Sequence, residues 1–161
     1  SERVSGFGDF ELSKFVDREG NSFNIWMSPE RNALIYKLSS MTEFVWVTTW
    51  GWLGYYAELE QMFPGVGRLP LKRFDDTTAG ANGSLVVKSW KEKTVLDETN
   101  GGADPYIWID DEEILPWFRK KNKERDRPGL LISPSPRYGL TRIHFEQIFA
   151  FLENHATQEV Q

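Results

Sequence analysis

Cysteine is absent from all 161 residues. That excludes disulfides, zinc–thiolate centres and cysteine nucleophiles, and nothing argues for an oxidising compartment. No apolar run approaches the roughly 20 residues of a membrane-spanning helix. The first twelve residues, "SERVSGFGDFEL", lack the basic-then-apolar layout of a signal peptide, so the expected location is cytoplasmic. The G-x-S-x-G, P-loop and H-E-x-x-H patterns are all missing. "GFGDFE" is preceded by no strand and followed by no helix, as a glycine-rich nucleotide loop would require. There is no internal repeat, low-complexity tract or domain linker. The formal net charge of −5 supplies no global reason to bind nucleic acid, although a local basic patch remains compatible with it.

What is present suits one domain with a single core, spanning residues 1–161. About 40% of the chain is hydrophobic and 27% charged, with seven Trp and eleven Phe. Alternating segments on either side of Asp17–Asn21 predict a β-hairpin within residues 1–27, with Phe10, Leu12, Phe23 and Ile25 at period two. Ser28 and Pro29 open a helix whose stripe runs through Ala33, Leu34, Tyr36 or Lys37, and Leu38. "EFVWV", "YIWI" and "GLLIS" read as strands buried on both faces, and "GRLPLKRF" as a further strand. "GWLGYYAELEQMF", "KSWKEKTVLDET", "DEEILPWFRKKNKE" and "TRIHFEQIFAFLENH" read as helices, and "DDTTAGANGSLV" as a loop. Thr141 is the expected cap of the last helix, and His144 at its third position is expected to make a local cap contact rather than serve in catalysis. The expected architecture is α/β: a mostly parallel sheet over residues 28–155, with a frayed tail at 156–161.

In an open α/β sheet, ligands bind beyond the carboxyl ends of the strands. Thr48 and Thr49 follow "FVWV", Asp110 and Asp111 follow "YIWI", and Ser133 and Pro134 follow "LLI". Carboxylate oxygens are the hard ligands Mg²⁺ prefers, while hydroxyls and lysines suit phosphate oxygens. Each also has a local explanation. Two aspartates ahead of a helix cap it, threonine at a strand end reflects propensity, and a helical lysine faces solvent. The basic run from Arg119 to Arg127 either meets a phosphate backbone or is a solvated helix end. Phe7, Phe10, Phe15 and Trp26 either stack on a base or pack in the core.

Threonine after "EFVWV", lysine in "SWKEK" and Asp-Asp after "YIWI" resemble, in that order, motifs II, III and IV of the haloacid dehalogenase-like (HAD) phosphohydrolases. "VWVTTW", "SWK", "IWIDDE" and "LLISPSPRYGLTRIHFEQI" are similar to a small HAD branch associated with phage, actinobacteria and RNA-repair systems. The resemblance covers Ser28 to Leu152. It implies a Rossmann-like sheet flanked by helices, a hairpin flap and a Mg²⁺ ion. By position, Thr48 would hydrogen-bond the transferring phosphoryl group and Lys91 would neutralise its charge, with Lys93 the alternative. Asp110 and Asp111 would hold Mg²⁺, and Thr49 and Trp50 would touch substrate. Phosphoryl transfer needs this positioning and charge neutralisation more than covalent chemistry.

The chain departs from that family in one respect. No D-x-D-G-V motif supplies the aspartate nucleophile, and the nearest acids, Asp9 and Glu11, fall in the predicted hairpin. Two expectations follow. One is a Mg²⁺-dependent phosphohydrolase of a nucleotide or nucleic-acid end, whose nucleophile strand lies upstream of Ser1. The other is a catalytically inactive HAD-like binding or scaffold protein, phage-encoded, whose sheet gap is filled by a protein partner. Neither needs a membrane.

Overall fold

Antiparallel pairing near the start of the chain and parallel pairing near its end frame this mixed α/β protein. A computed structural model describes residues 5–17, 19–48, 56–72, 83–111 and 114–160. The described residues form β1 (Glu11–Val16), β2 (Ser22–Met27), α1 (Pro29–Met41), α2 (Tyr56–Met62), α3 (Gly83–Glu98), β3 (Ile107–Ile109), α4 (Pro116–Lys123), β4 (Leu130–Ile132) and α5 (Arg142–Val160). They divide into two compact units, Gly8–Thr94 on one side and Ser1–Phe7 with Val95–Gln161 on the other.

In the unit Gly8–Thr94, β1 and β2 form the expected hairpin, in register from Glu11↔Met27 to Val16↔Ser22. The Asp17 carboxylate closes its turn by accepting from the Glu19 and Asn21 amides at 2.9 and 2.8 Å. Gly20 takes a φ of 86°, which a side chain would resist. Phe15 stacks on Phe23 with centroids 5.7 Å apart, while the cross-strand pair Leu12 and Trp26 stays exposed. Ser28 caps α1, accepting from the Arg31 amide at 3.2 Å ahead of Pro29. The buried face of α1 is Ile35 and Leu38; Ala33 and Tyr36 lie outward, so the stripe is rotated from the expected one.

"EFVWV" does not become a full strand. Its one bridge pairs Val45 with Arg68 in parallel, so "GRLPLKRF" is indeed its neighbour. Residues 44–48 are half-buried rather than enclosed on both faces. The indole of Trp46 donates to the Val66 carbonyl at 2.7 Å and stacks on Phe63. Further on, α3 is already formed at Gly83, so the last part of the expected loop, Gly83 to Val86, is helical.

In the unit of Ser1–Phe7 and Val95–Gln161, β3 and β4 pair in parallel, Ile107↔Leu130 through Ile109↔Ile132. Val95, Tyr106, Trp108, Ile114 and Phe118 form its core, with Trp108 and Phe118 edge to face at 5.1 Å. Phe7 is buried edge-on against Phe145, which identifies it as core. The acids Asp110 and Asp111 do not open α4. That helix begins at Pro116 with Leu115 at its N-cap, and its first turn holds no acid. Proline's fixed φ suits the first helical position and sets the boundary there. At the other end of the chain, α5 continues to Val160, beyond the residue at which a frayed tail is expected.

One buried amide joins three elements of this unit. Asn122 Oδ1 accepts from the Tyr106 hydroxyl at 2.9 Å and from the Gly129 amide at 2.9 Å, while Nδ2 donates to the Gly129 carbonyl at 2.8 Å. Burial raises the Tyr106 pKa above its ordinary value, with Arg125 acting the other way, so the phenol stays a neutral donor. A Cβ at Gly129 would lie 2.3 Å from the Tyr106 ring, so only glycine fits. Asn122→Ala strands these buried groups and should cost roughly 2–4 kcal/mol of stability. Urea unfolding checks this; a loss under about 0.5 kcal/mol, the range of ordinary surface changes, would contradict it.

Candidate strand-end site

The parallel register of β3 and β4 places the residues after them side by side. The ladder runs one bond past β3, with the Asp110 amide donating to the Ile132 carbonyl at 3.0 Å. Asp110 is buried, 9% exposed, and Asp111 beside it is exposed. On the neighbouring strand the next residue is Ser133, whose hydroxyl accepts from Arg119 Nη2 at 2.8 Å. The edge thus gathers two consecutive carboxylates, a hydroxyl and a guanidinium. Because α4 starts at Pro116, helix capping does not account for Asp110 and Asp111.

Arg119 is the residue that reading the sequence missed at this edge. It belongs to a basic run and carries no motif. It sits one turn into α4, and its contact with Ser133 joins that helix to the end of β4. A guanidinium has five N–H donors in a planar fork suited to phosphoryl oxygens, and Ser133 engages one of them.

Glu112, Glu113, Thr49 and Trp50 lie outside the described residues. Thr48 follows the Val45 bridge and is half-buried in the unit Gly8–Thr94. Lys91 lies in the same unit, half-buried on α3, whereas Lys93 is exposed. The helix is already formed at Gly83, so Lys91 sits in its interior rather than near its start. Among the described residues, no group of three or more His, Asp or Glu side chains gathers as a metal cluster. Two carboxylates nonetheless fit Mg²⁺, which usually keeps several waters and takes one or two protein carboxylates.

Further along the chain, α5 opens with a reciprocal cap. The Thr141 amide donates to His144 Nδ1 at 3.0 Å, and the His144 amide donates to Thr141 Oγ1 at 3.4 Å. This is a capping box with imidazole in the place usually held by a carboxylate or amide. Nδ1 therefore accepts and Nε2 carries the proton, so the ring must be neutral. Burial pushes the His144 pKa below its ordinary value. The cap expected for Thr141 and His144 is thus present, and it occupies His144 structurally.

No family model, curated protein or solved structure matches the chain.

The cap makes a pH prediction. Above the ordinary histidine value of 6.5, His144 is neutral in both folded and unfolded chains. As pH falls below it, the unfolded chain binds the proton first, so stability drops until pH passes the lower folded value. Thermal melts should show this fall in the wild type and a smaller one in His144→Gln. Equal pH dependence in the two proteins would contradict the cap assignment. Thr141→Ala should cost about 1 kcal/mol at neutral pH.

Proposed function

We propose that the protein carries a HAD-type phosphoryl site, with Rossmann-like sheet topology and its ligand at the β3–β4 edge. The single observation that carries this reading is the position of Asp110 and Asp111. They end a parallel strand beside Ser133 instead of capping α4. The motif order of Thr48, Lys91 and Asp110–Asp111 supports it independently. Within the unit Gly8–Thr94, the half-burial of Lys91 favours it over exposed Lys93 as the lysine of the motif.

Asp110 and Asp111 would hold Mg²⁺, which supplies charge neutralisation for the phosphoryl oxygens. The resemblance would give Thr48 the hydrogen bond to a transferring group and Lys91 the neutralisation of its charge. Arg119 and Ser133 add donors at the same edge. These roles bind and orient; none provides a carboxylate poised for in-line attack on phosphorus. The substrate is a phosphomonoester on a nucleotide or nucleic-acid end. The absence of D-x-D-G from these 161 residues favours a second reading, a domain that binds phosphorylated ligands without turning them over.

Phosphate release from nucleotides and from 3′- and 5′-phosphorylated oligonucleotides, with and without Mg²⁺, tests the proposal. Residues 1–161 alone should release none. The same chain preceded by an apolar strand ending in D-x-D-G should turn over in Mg²⁺, and Asp110→Asn should lower that rate by about 100-fold or more. Failure of the extended chain to turn over would leave the binding reading in its place. Turnover by residues 1–161 that is lost in Asp9→Asn would make the hairpin acid the nucleophile and overturn the assignment.

A further inference from the structure

Segment 119–127 is charged against the trend of the chain. Arg119, Lys120, Lys121, Lys123, Arg125 and Arg127 face only Glu124 and Asp126, a net charge of +4 in a chain of net −5. On α4 this charge has a geometry. Phe118 and Asn122 are buried, which turns Trp117, Lys120 and Lys121 outward as one stripe at spacings of three and four. Trp117 is 49% exposed although it is the most apolar surface such a residue can offer. The Lys121 ammonium lies 5.5 Å from the centroid of its ring. Completing the helix dipole explains lysines in a last turn, but not an exposed indole set among them.

We propose that the outward face of α4 binds single-stranded nucleic acid, with a base stacked on Trp117 and backbone phosphates on Lys120 and Lys121. A flat exposed ring flanked by cations is the combination that unpaired strands require, since every base offers a π-face and every linkage a charge. A duplex hides its base faces, an anionic membrane surface needs a broader apolar face than one indole, and an acidic peptide has no use for a stacking platform. Glu124 closes the stripe, so the footprint is short. The other flank of the same helix carries Arg119, whose guanidinium reaches Ser133 at the β3–β4 edge. The inference rests on the phosphoryl-site reading in one respect: it selects a polynucleotide over a free nucleotide as the substrate of that edge.

Fluorescence polarisation with an end-labelled single-stranded oligonucleotide, with and without a terminal phosphate, tests this on residues 1–161. Binding should weaken as salt rises. Trp117→Ala should weaken it about 5- to 100-fold while leaving heparin binding unchanged. Lys120→Glu/Lys121→Glu should weaken both. All the substituted side chains are exposed, and circular dichroism melts should match the wild type. The oligonucleotide without terminal phosphate should still bind, so this result stands or falls separately from the phosphoryl site. Absence of binding, equal binding by Trp117→Ala, or equal affinity for duplex, heparin or phosphatidylserine vesicles would overturn the proposal.

Discussion

The Asn122 amide is the constraint on which the strand-end edge depends. It is buried in α4, yet both its polar atoms are engaged by residues that lead into the two parallel strands. Tyr106 directly precedes β3, and Gly129 directly precedes β4. An unpaired buried amide is costly, so these bonds fix α4 and both strands in one arrangement. Gly129 is glycine because the Tyr106 ring occupies the place of its Cβ. With the entering ends of β3 and β4 pinned, their register follows, and their exits, Asp110 and Ser133, come out side by side.

From that geometry the chemistry of the edge follows. Asp110 and Asp111 do not serve α4, which enters through Leu115 and Pro116. Asp110 is instead held by the ladder bond to Ile132 and is buried, whereas Asp111 is exposed. Two adjacent carboxylates repel each other, and a hard divalent cation relieves that repulsion. Arg119 and Ser133 balance the acids with donors suited to an oxyanion. The proposed site would use the acids for a cation and these donors for the anion it accompanies.

Much of this was legible because the governing forces are local. The hairpin is encoded by alternation around Asp17–Asn21, α1 by Ser28-Pro29, and the last cap by Thr141 and His144. The apolar runs "YIWI" and "GLLIS" gave the two parallel strands. Where reading failed, a non-local or competing preference decided. The acids of "DDEE" suggested a first helical turn, but Pro116 fixed the start later. "EFVWV" has strand composition, yet Trp46 is committed to Val66 and Phe63, and a single bridge remains. The pairing of Arg119 with Ser133 spans a strand and a helix, and no spacing in the sequence announces it.

The central claim is that the β3–β4 edge is a joint site for Mg²⁺ and a phosphoryl oxyanion. Its most direct measurement is a titration of ¹⁵N-labelled protein by nuclear magnetic resonance, adding Mg²⁺ and then orthovanadate. The account predicts shifts first at the amides of Asp110 and Asp111, then at Ser133 and the Arg119 side-chain Nε–H, with Asp110→Asn abolishing the first set. Unmoved resonances at those four residues, or shifts spread evenly over the exposed lysines and arginines, would contradict it.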